Sequence, residues 1–202
     1  MASLVWRYAP GRKSTDLQET QGMNAMAPAR TETQAGFTLV LGGVRSGKSR
    51  HAEHLVMTAP GPWTYIATAR AGDAEMQARI ARHRDDRAAG WHTVEEPLEL
   101  AAALDAAGPA PVLVDCLTLW LTNLLLDERD IASATDALLP ALARRQAPTV
   151  LVGNEVGLGI VPETPLGRRF RDEAGWLNQI VARAARQVVF MVAGLPMVVK
   201  AD

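Results

Sequence analysis

The apolar run Phe37-Thr38-Leu39-Val40-Leu41 ends in two glycines, and the segment Gly42-Gly43-Val44-Arg45-Ser46-Gly47-Lys48-Ser49 then runs into a helical pattern. So short an apolar run, stopped by glycine, reads as a buried strand rather than a helix. A Gly-x4-Gly-Lys-Ser sequence between a strand and a helix constrains the chain more than any other feature, because it matches the phosphate-binding loop in both pattern and context. Glycines let backbone N–H groups curl around phosphate oxygens, and the helix N-terminus adds positive potential. Gly42 through Gly47 are therefore candidate nucleotide contacts. Lys48 is the candidate catalytic cation for the outer phosphates, and Ser49 is a candidate Mg²⁺ ligand.

Such a loop has to be carried by a sheet, and the rest of the chain supplies one. Further strands are expected at Trp63–Ala67, Pro111–Asp115, Thr149–Gly153 and Val188–Val192. Helices are expected from Ser49 to about Thr58, from Gly72-Asp73 to about Arg87, near Leu98–Ala106, Leu117–Leu126 and Ala132–Arg145, and from about Leu166 to Arg186. Continuous apolar strands alternating with helices predict an α/β, P-loop NTPase-like fold: a mostly parallel sheet with helices on both faces. Ligands of such sheets sit beyond the carboxyl ends of the strands, which directs attention to Thr68, Asp115 and Asn154 onward. Asp115 ends a hydrophobic strand, where a carboxylate can orient Mg²⁺ directly or through water; a helix cap before Leu117 is the other reading.

With 202 residues the chain fits one domain, expected over residues 37–202. Residues 1–36 lack sustained periodicity and are expected to be a flexible N-terminal extension, with a targeting peptide, or a true start at Met23 or Met26, left open. A net charge of -1 offers no general attraction for nucleic acid or an anionic membrane, so a polyphosphate ligand must be held locally. The single cysteine, Cys116, cannot form an internal disulfide, and no apolar run approaches the roughly 20 residues that span a bilayer. A cytoplasmic location is expected.

Met76, Ile80, His83 and Arg87 fall on one stripe of the helix expected after Asp73. Periodicity alone leaves His83 open as a packing residue or a catalyst. His51 and His54 stand three apart, but two side chains do not make a metal site, and surface or packing roles are preferred. Trp120, Leu121, Leu124 and Leu125 form an apolar helical face, read first as core and second as a subunit interface.

The phosphate loop with Arg50 and Ala52-Glu53 is followed by Tyr65-Ile66-Ala67-Thr68, Glu75-Met76, Arg79-Ile80, His83-Arg84, Trp91 and Thr93-Val94-Glu95. Later come Cys116-Leu117-Thr118, Thr122-Asn123-Leu124, the segment Asn154 to Pro162, and Phe170-Arg171-Asp172. In this order the elements, spanning nearly all of Phe37 to Lys200, resemble the bifunctional adenosylcobinamide kinase/adenosylcobinamide-phosphate guanylyltransferase family. The resemblance implies an enzyme of cobalamin nucleotide-loop assembly that uses ATP and GTP as substrates and takes a corrinoid, adenosylcobinamide and then its phosphate, as acceptor. It further implies a histidine that receives GMP from GTP, here His83, which follows Arg82 where some relatives have two adjacent histidines. Nucleotide contacts are implied at Ala67, Thr68, Ala69, Arg84, Asp85, Asp86, Arg87, Glu95 and Asp115, although a solvated surface also explains Asp85 and Asp86. Arg84 and Arg87 can balance phosphate charge, and Glu95 can accept hydrogen bonds from the guanine N1–H and 2-amino group. Asn154-Glu155 suits either a contact to the corrinoid hydroxyl or a polar turn into Gly157. A homo-oligomer, a trimer, is implied as well. Two other readings stay open: a P-loop kinase of another small alcohol, and a GTP-sensing regulatory module whose Trp120 helix binds a partner.

Overall fold

A computed structural model describes residues 36–72 and 88–201. The strands are β1 (Phe37–Gly42), β2 (Trp63–Ala67), β3 (Trp91–Glu95), β4 (Val112–Asp115), β5 (Thr149–Asn154), β6 (Gln187–Val192) and β7 (Leu195–Ala201). The helices among the described residues are α1 (Lys48–Val56), α2 (Leu100–Ala106), α3 (Leu117–Leu126), α4 (Ile131–Ala143) and α5 (Pro165–Ala184). The strands form one seven-stranded sheet in the order β3-β2-β4-β5-β1-β6-β7. All neighbours are parallel except β6 and β7. The helix expected from Gly72-Asp73 to about Arg87 lies outside the described residues apart from its first residue.

The central strands are apolar throughout because both faces of the sheet are covered. Leu39, Leu151 and Val114 point into a cluster with Leu104, Leu117, Trp120, Leu138 and Leu177 from α2, α3, α4 and α5. Val40, Leu113 and Val150 point the other way, onto Ala52 and Val56 of α1. Each fully buried leucine or isoleucine on these faces contributes roughly 1.5–3 kcal/mol relative to exposure. Trp120 is 1% exposed and donates from Nε1 to the Leu98 carbonyl at 2.7 Å, so its helix face belongs to the core. The partner-binding role that the regulatory reading gives this face is thereby overturned.

Two strands go beyond what the apolar runs predict. β3 is an edge strand of five partly exposed residues, and β7 is antiparallel, holds Pro196, and exposes Leu195, Met197, Val198 and Val199. β6 and β7 are joined by Ala193-Gly194, both with positive φ (51° and 83°), the geometry of a tight two-residue hairpin. Neither strand is buried on both faces, so neither leaves the continuous apolar signature of a central parallel strand.

Candidate nucleotide-binding site

Register aligns the expected site residues along the carboxyl edge of the sheet. Gly42 stands opposite Asn154 on one side and Met191 on the other; Val152 pairs with Asp115, Asp115 with Ala67, and Ala67 with Glu95. With neighbouring strands about 4.8 Å apart, the four steps from β1 to β3 separate Gly42 from Glu95 by roughly 19 Å. The edge thus has a phosphate end at β1 and a second end at β2 and β3.

At the phosphate end the loop is shaped almost wholly by its backbone. Arg45 and Gly47 have φ of 55° and 91°. A Cβ on Gly42 would meet the Met191 carbonyl at 2.7 Å and Ser46 Oγ at 2.8 Å, so only glycine fits there unless the loop shifts. Gly47 is the N-cap of α1 and supplies no side chain to the first-turn amides, whereas Asp130 and Thr164 cap α4 and α5 by accepting from Ser133 and Gly167 amides. An uncapped helix start facing a glycine loop suits an anion. Lys48 is 7% exposed and donates from Nζ to the Gly43 carbonyl at 2.6 Å, which folds the cation back along the loop. Ser46 Oγ is buried and has no hydrogen-bond partner among the described residues, an unspent donor in the loop's interior. Gly43, Val44 and Arg45 are exposed. Neighbouring exits are tied on: the Glu155 amide donates to Gly42 at 3.1 Å and the Gly194 amide to Ser46 at 3.2 Å.

Between the two ends stands Asp115, half-buried, whose Oδ2 accepts from the Tyr65 hydroxyl at 3.0 Å. That bond orients the carboxylate, a role for Tyr65 that spacing does not reveal. The Ser49 hydroxyl and Asp115 carboxylate are hard oxygen donors of the kind Mg²⁺ takes, so the donor set fits the expected ion. Burial and the neighbouring Asp115 charge push the Cys116 thiol up to about 11.

At the second end, side chains do the holding. Thr68 is fully buried; its Oγ1 donates to the Cys116 carbonyl at 2.7 Å and accepts from the Cys116 amide at 2.8 Å. Asn123 on α3 donates from Nδ2 to the Thr68 carbonyl at 2.7 Å and the Pro97 carbonyl at 3.0 Å. Arg70 grips Asp127 with two bonds of 2.7 and 2.6 Å, and this pairing holds the Asp127 carboxyl below its usual range. Glu95 is exposed, and the next residue, Glu96, continues the ladder by donating its amide to Ala67 at 2.9 Å. Ala67 and Ala69 are half-buried beside it. Thr118 Oγ1 accepts from the Asn154 amide at 2.7 Å, and Glu155 Oε1 accepts from the Gly157 amide at 2.5 Å, so the Glu155 carboxylate closes the turn into Gly157.

The structure thus brings Gly42–Ser49, Ala67–Ala69, Glu95 and Asp115 to one edge. His83, Arg84, Asp85, Asp86 and Arg87 lie outside the described residues. His51 is half-buried and His54 exposed; burial, then the His54 charge, lowers the His51 pKa. Sequence reasoning assigns no role to Tyr65, Thr118 or Asn123. The available signal for Asn123 is an amide within the mostly apolar run Leu117–Leu126, whose other polar residues are two threonines, and an amide there calls for hydrogen-bond partners wherever it is buried.

Residues 38–199 match the family described as cobinamide kinase / cobinamide phosphate guanyltransferase. Over 168 residues the chain is 53% identical to the bifunctional adenosylcobalamin biosynthesis protein CobP of Pseudomonas aeruginosa, covering 81% of this chain and 97% of that one. It is 44% identical over 179 residues to the bifunctional adenosylcobalamin biosynthesis protein CobU of Salmonella typhimurium, covering 80% of this chain and 98% of the relative. The CobU protein of Escherichia coli is 42% identical over 179 residues, with 80% and 98% covered. A P-loop at one end of a mostly parallel sheet and a match over nearly the whole of that sheet lead to one conclusion: the chain belongs to the cobinamide kinase / cobinamide phosphate guanyltransferase family.

Proposed function

We propose that this chain carries out both reactions in the family's description at its P-loop edge: phosphorylation of the adenosylcobinamide hydroxyl by ATP or GTP, and transfer of GMP from GTP to adenosylcobinamide phosphate. The observation that carries the reading is the alignment of Lys48, Ser49, Asp115, Ala67 and Glu95 along one carboxyl edge in a chain of this family. In the kinase step Lys48 and the loop amides hold the outer phosphates while the acceptor hydroxyl attacks the γ-phosphorus; the hydroxyl proton passes to solvent, the bond from the γ-phosphorus to the β,γ-bridging oxygen breaks, and the nucleoside diphosphate leaves. In the transfer step a neutral ring nitrogen of His83 attacks the α-phosphorus of GTP. A P–N bond forms, the bond from the α-phosphorus to the bridging oxygen breaks, and pyrophosphate leaves. A phosphate oxygen of the second substrate then attacks the same phosphorus, the P–N bond breaks, and the imidazole is restored. Ser49 and Asp115 would hold Mg²⁺, which when bound supplies charge neutralisation to the phosphates. Arg84 and Arg87 balance phosphate charge, and Glu95 accepts from the guanine edge.

Residues 37–202 make up the catalytic unit, a reading supported by a family match that begins at residue 38. A cytoplasmic enzyme fits, since no helix among the described residues is long and apolar enough to cross a membrane. A homo-oligomer is supported by the exposed apolar strand β7; the trimer is what the family resemblance implies, and light scattering on the purified chain tests it. The reaction scheme is tested by incubation with α-labelled GTP and Mg²⁺ followed by denaturation. Protein-bound label that is labile in acid and stable in base is expected, and its absence would leave a kinase of some small alcohol as the better reading.

A further inference from the structure

Helix α3 contributes an unbroken apolar face of Leu117, Trp120, Leu121, Leu124 and Leu125, and Asn123 is buried among them at 5% exposure. A buried amide in such a setting is unfavourable unless its polar atoms are bonded. The Asn123 amide bonds away from its own helix, to the carbonyls of Thr68 and Pro97, which leave β2 and β3 respectively. Just past the helix, Asp127 takes the bidentate grip of Arg70 in the β2 exit. Arg129 reaches Glu99 beyond the β3 exit at 2.8 Å. One helix and the turn after it therefore tie together the two exits that carry Thr68-Ala69 and Glu95. The phosphate loop is held chiefly by its own backbone and the exits of β5 and β6, and α3 reaches that side only at its first turn, where Thr118 accepts from the Asn154 amide.

We propose that α3 is the clamp that sets the base-binding end of the site, with Asn123 as a positioning residue that fixes the separation of the β2 and β3 exits. The inference rests on the reading that Glu95 and the β2 exit at Ala69 meet the nucleoside, with Thr68 buried behind them, and it gives that end of the site a defined mechanical support. Loss of the clamp should weaken whatever the nucleoside contributes to binding while sparing what the phosphates contribute. General destabilisation of the domain would weaken both together.

Calorimetry on the full chain with two probes separates these: α,β-methylene GTP, which carries a base, and inorganic tripolyphosphate, which does not. Asn123→Ala removes the donor to both carbonyls and should lower affinity for the GTP analogue about tenfold, the equivalent of one buried hydrogen-bond partner lost, with tripolyphosphate changed less than about twofold. Asp127→Ala, on the surface, should show the same split at about two- to fivefold and decides the matter if Asn123→Ala does not fold. Equal losses for the two probes, or no loss for either, would overturn the clamp. Glu95→Gln tests the underlying reading independently: if it binds both probes as the native chain does while Asn123→Ala shows the split, Glu95 is not the base contact and the clamp stands.

Discussion

The two ends of the sheet's carboxyl edge are built in opposite ways. At the phosphate end, glycines of unusual conformation and a lysine that reaches back five residues to its own loop shape the site from neighbours in sequence. At the other end, the β2 exit is held by Cys116, Asn123 and Asp127, which lie 48 to 57 residues further along the chain. The first end is a local device that any chain can carry as a short motif. The second exists only once α3 has packed, so its precision depends on the folded core, and the two ends should fail differently when altered.

The largest effect is expected at the local end. Lys48→Ala should reduce both activities by about 10²–10³-fold, the scale for removing one preorganised charge-stabilising donor, while leaving Tm close to native. Turnover assays on the two reactions check this, and near-normal rates would break the assignment of the phosphate end. Gly42→Ala tests the same end through shape alone: its Cβ would stand 2.7 Å from the Met191 carbonyl, and relieving that overlap should cost about 1–3 kcal/mol and lower tripolyphosphate affinity. Unchanged tripolyphosphate binding in a calorimeter would mean that the loop is softer than its contacts indicate.

Thr68→Val probes the long-range end. It leaves the buried Cys116 amide without its acceptor, for an expected loss of about 1–3 kcal/mol. Thermal melts should show this as a Tm fall of roughly 2–4 °C per kcal/mol, the reverse of the Lys48→Ala pattern. The Cys116 thiol gives a pH-dependent signal. Its folded value of about 11 exceeds its ordinary 9.0, so its contribution to stability is flat below pH 9 and is lost between 9 and 11. At pH 8 iodoacetamide should label denatured chain far faster than native chain; equal rates would show that the α3 start is open. Smallest of all, deleting residues 1–34 should leave both ends and both activities nearly unchanged, as expected of a segment without an apolar face. A large change in Tm would show that the segment is structural.

This contrast also explains what was legible in the sequence. Strands β1, β2, β4, β5 and β6 show as apolar runs because both of their faces are buried, and Gly42–Ser49 shows as a pattern because the loop's geometry demands those residue types locally. The edge strands β3 and β7 are half-exposed and escape that signature. Asp115 is visible at a strand end, but the Tyr65 hydroxyl that orients it is 50 residues away. Asn123 is visible as an oddity inside an apolar helix, yet its partners at Thr68 and Pro97 follow only from the packed fold. Resemblance, rather than spacing, singles out His83 and Glu95.

In the proposed scheme two reactions share one P-loop edge and differ in their need for a covalent histidine. It is tested most directly by His83→Ala, assayed in parallel for phosphorylation of adenosylcobinamide, for guanylyl transfer to its phosphate, and for retained α-label from GTP. Label and guanylyl transfer should be lost while phosphorylation survives, because positioning at the P-loop needs no P–N bond. An acid-labile GMP adduct still present on His83→Ala would contradict it and place the nucleophile elsewhere in the chain.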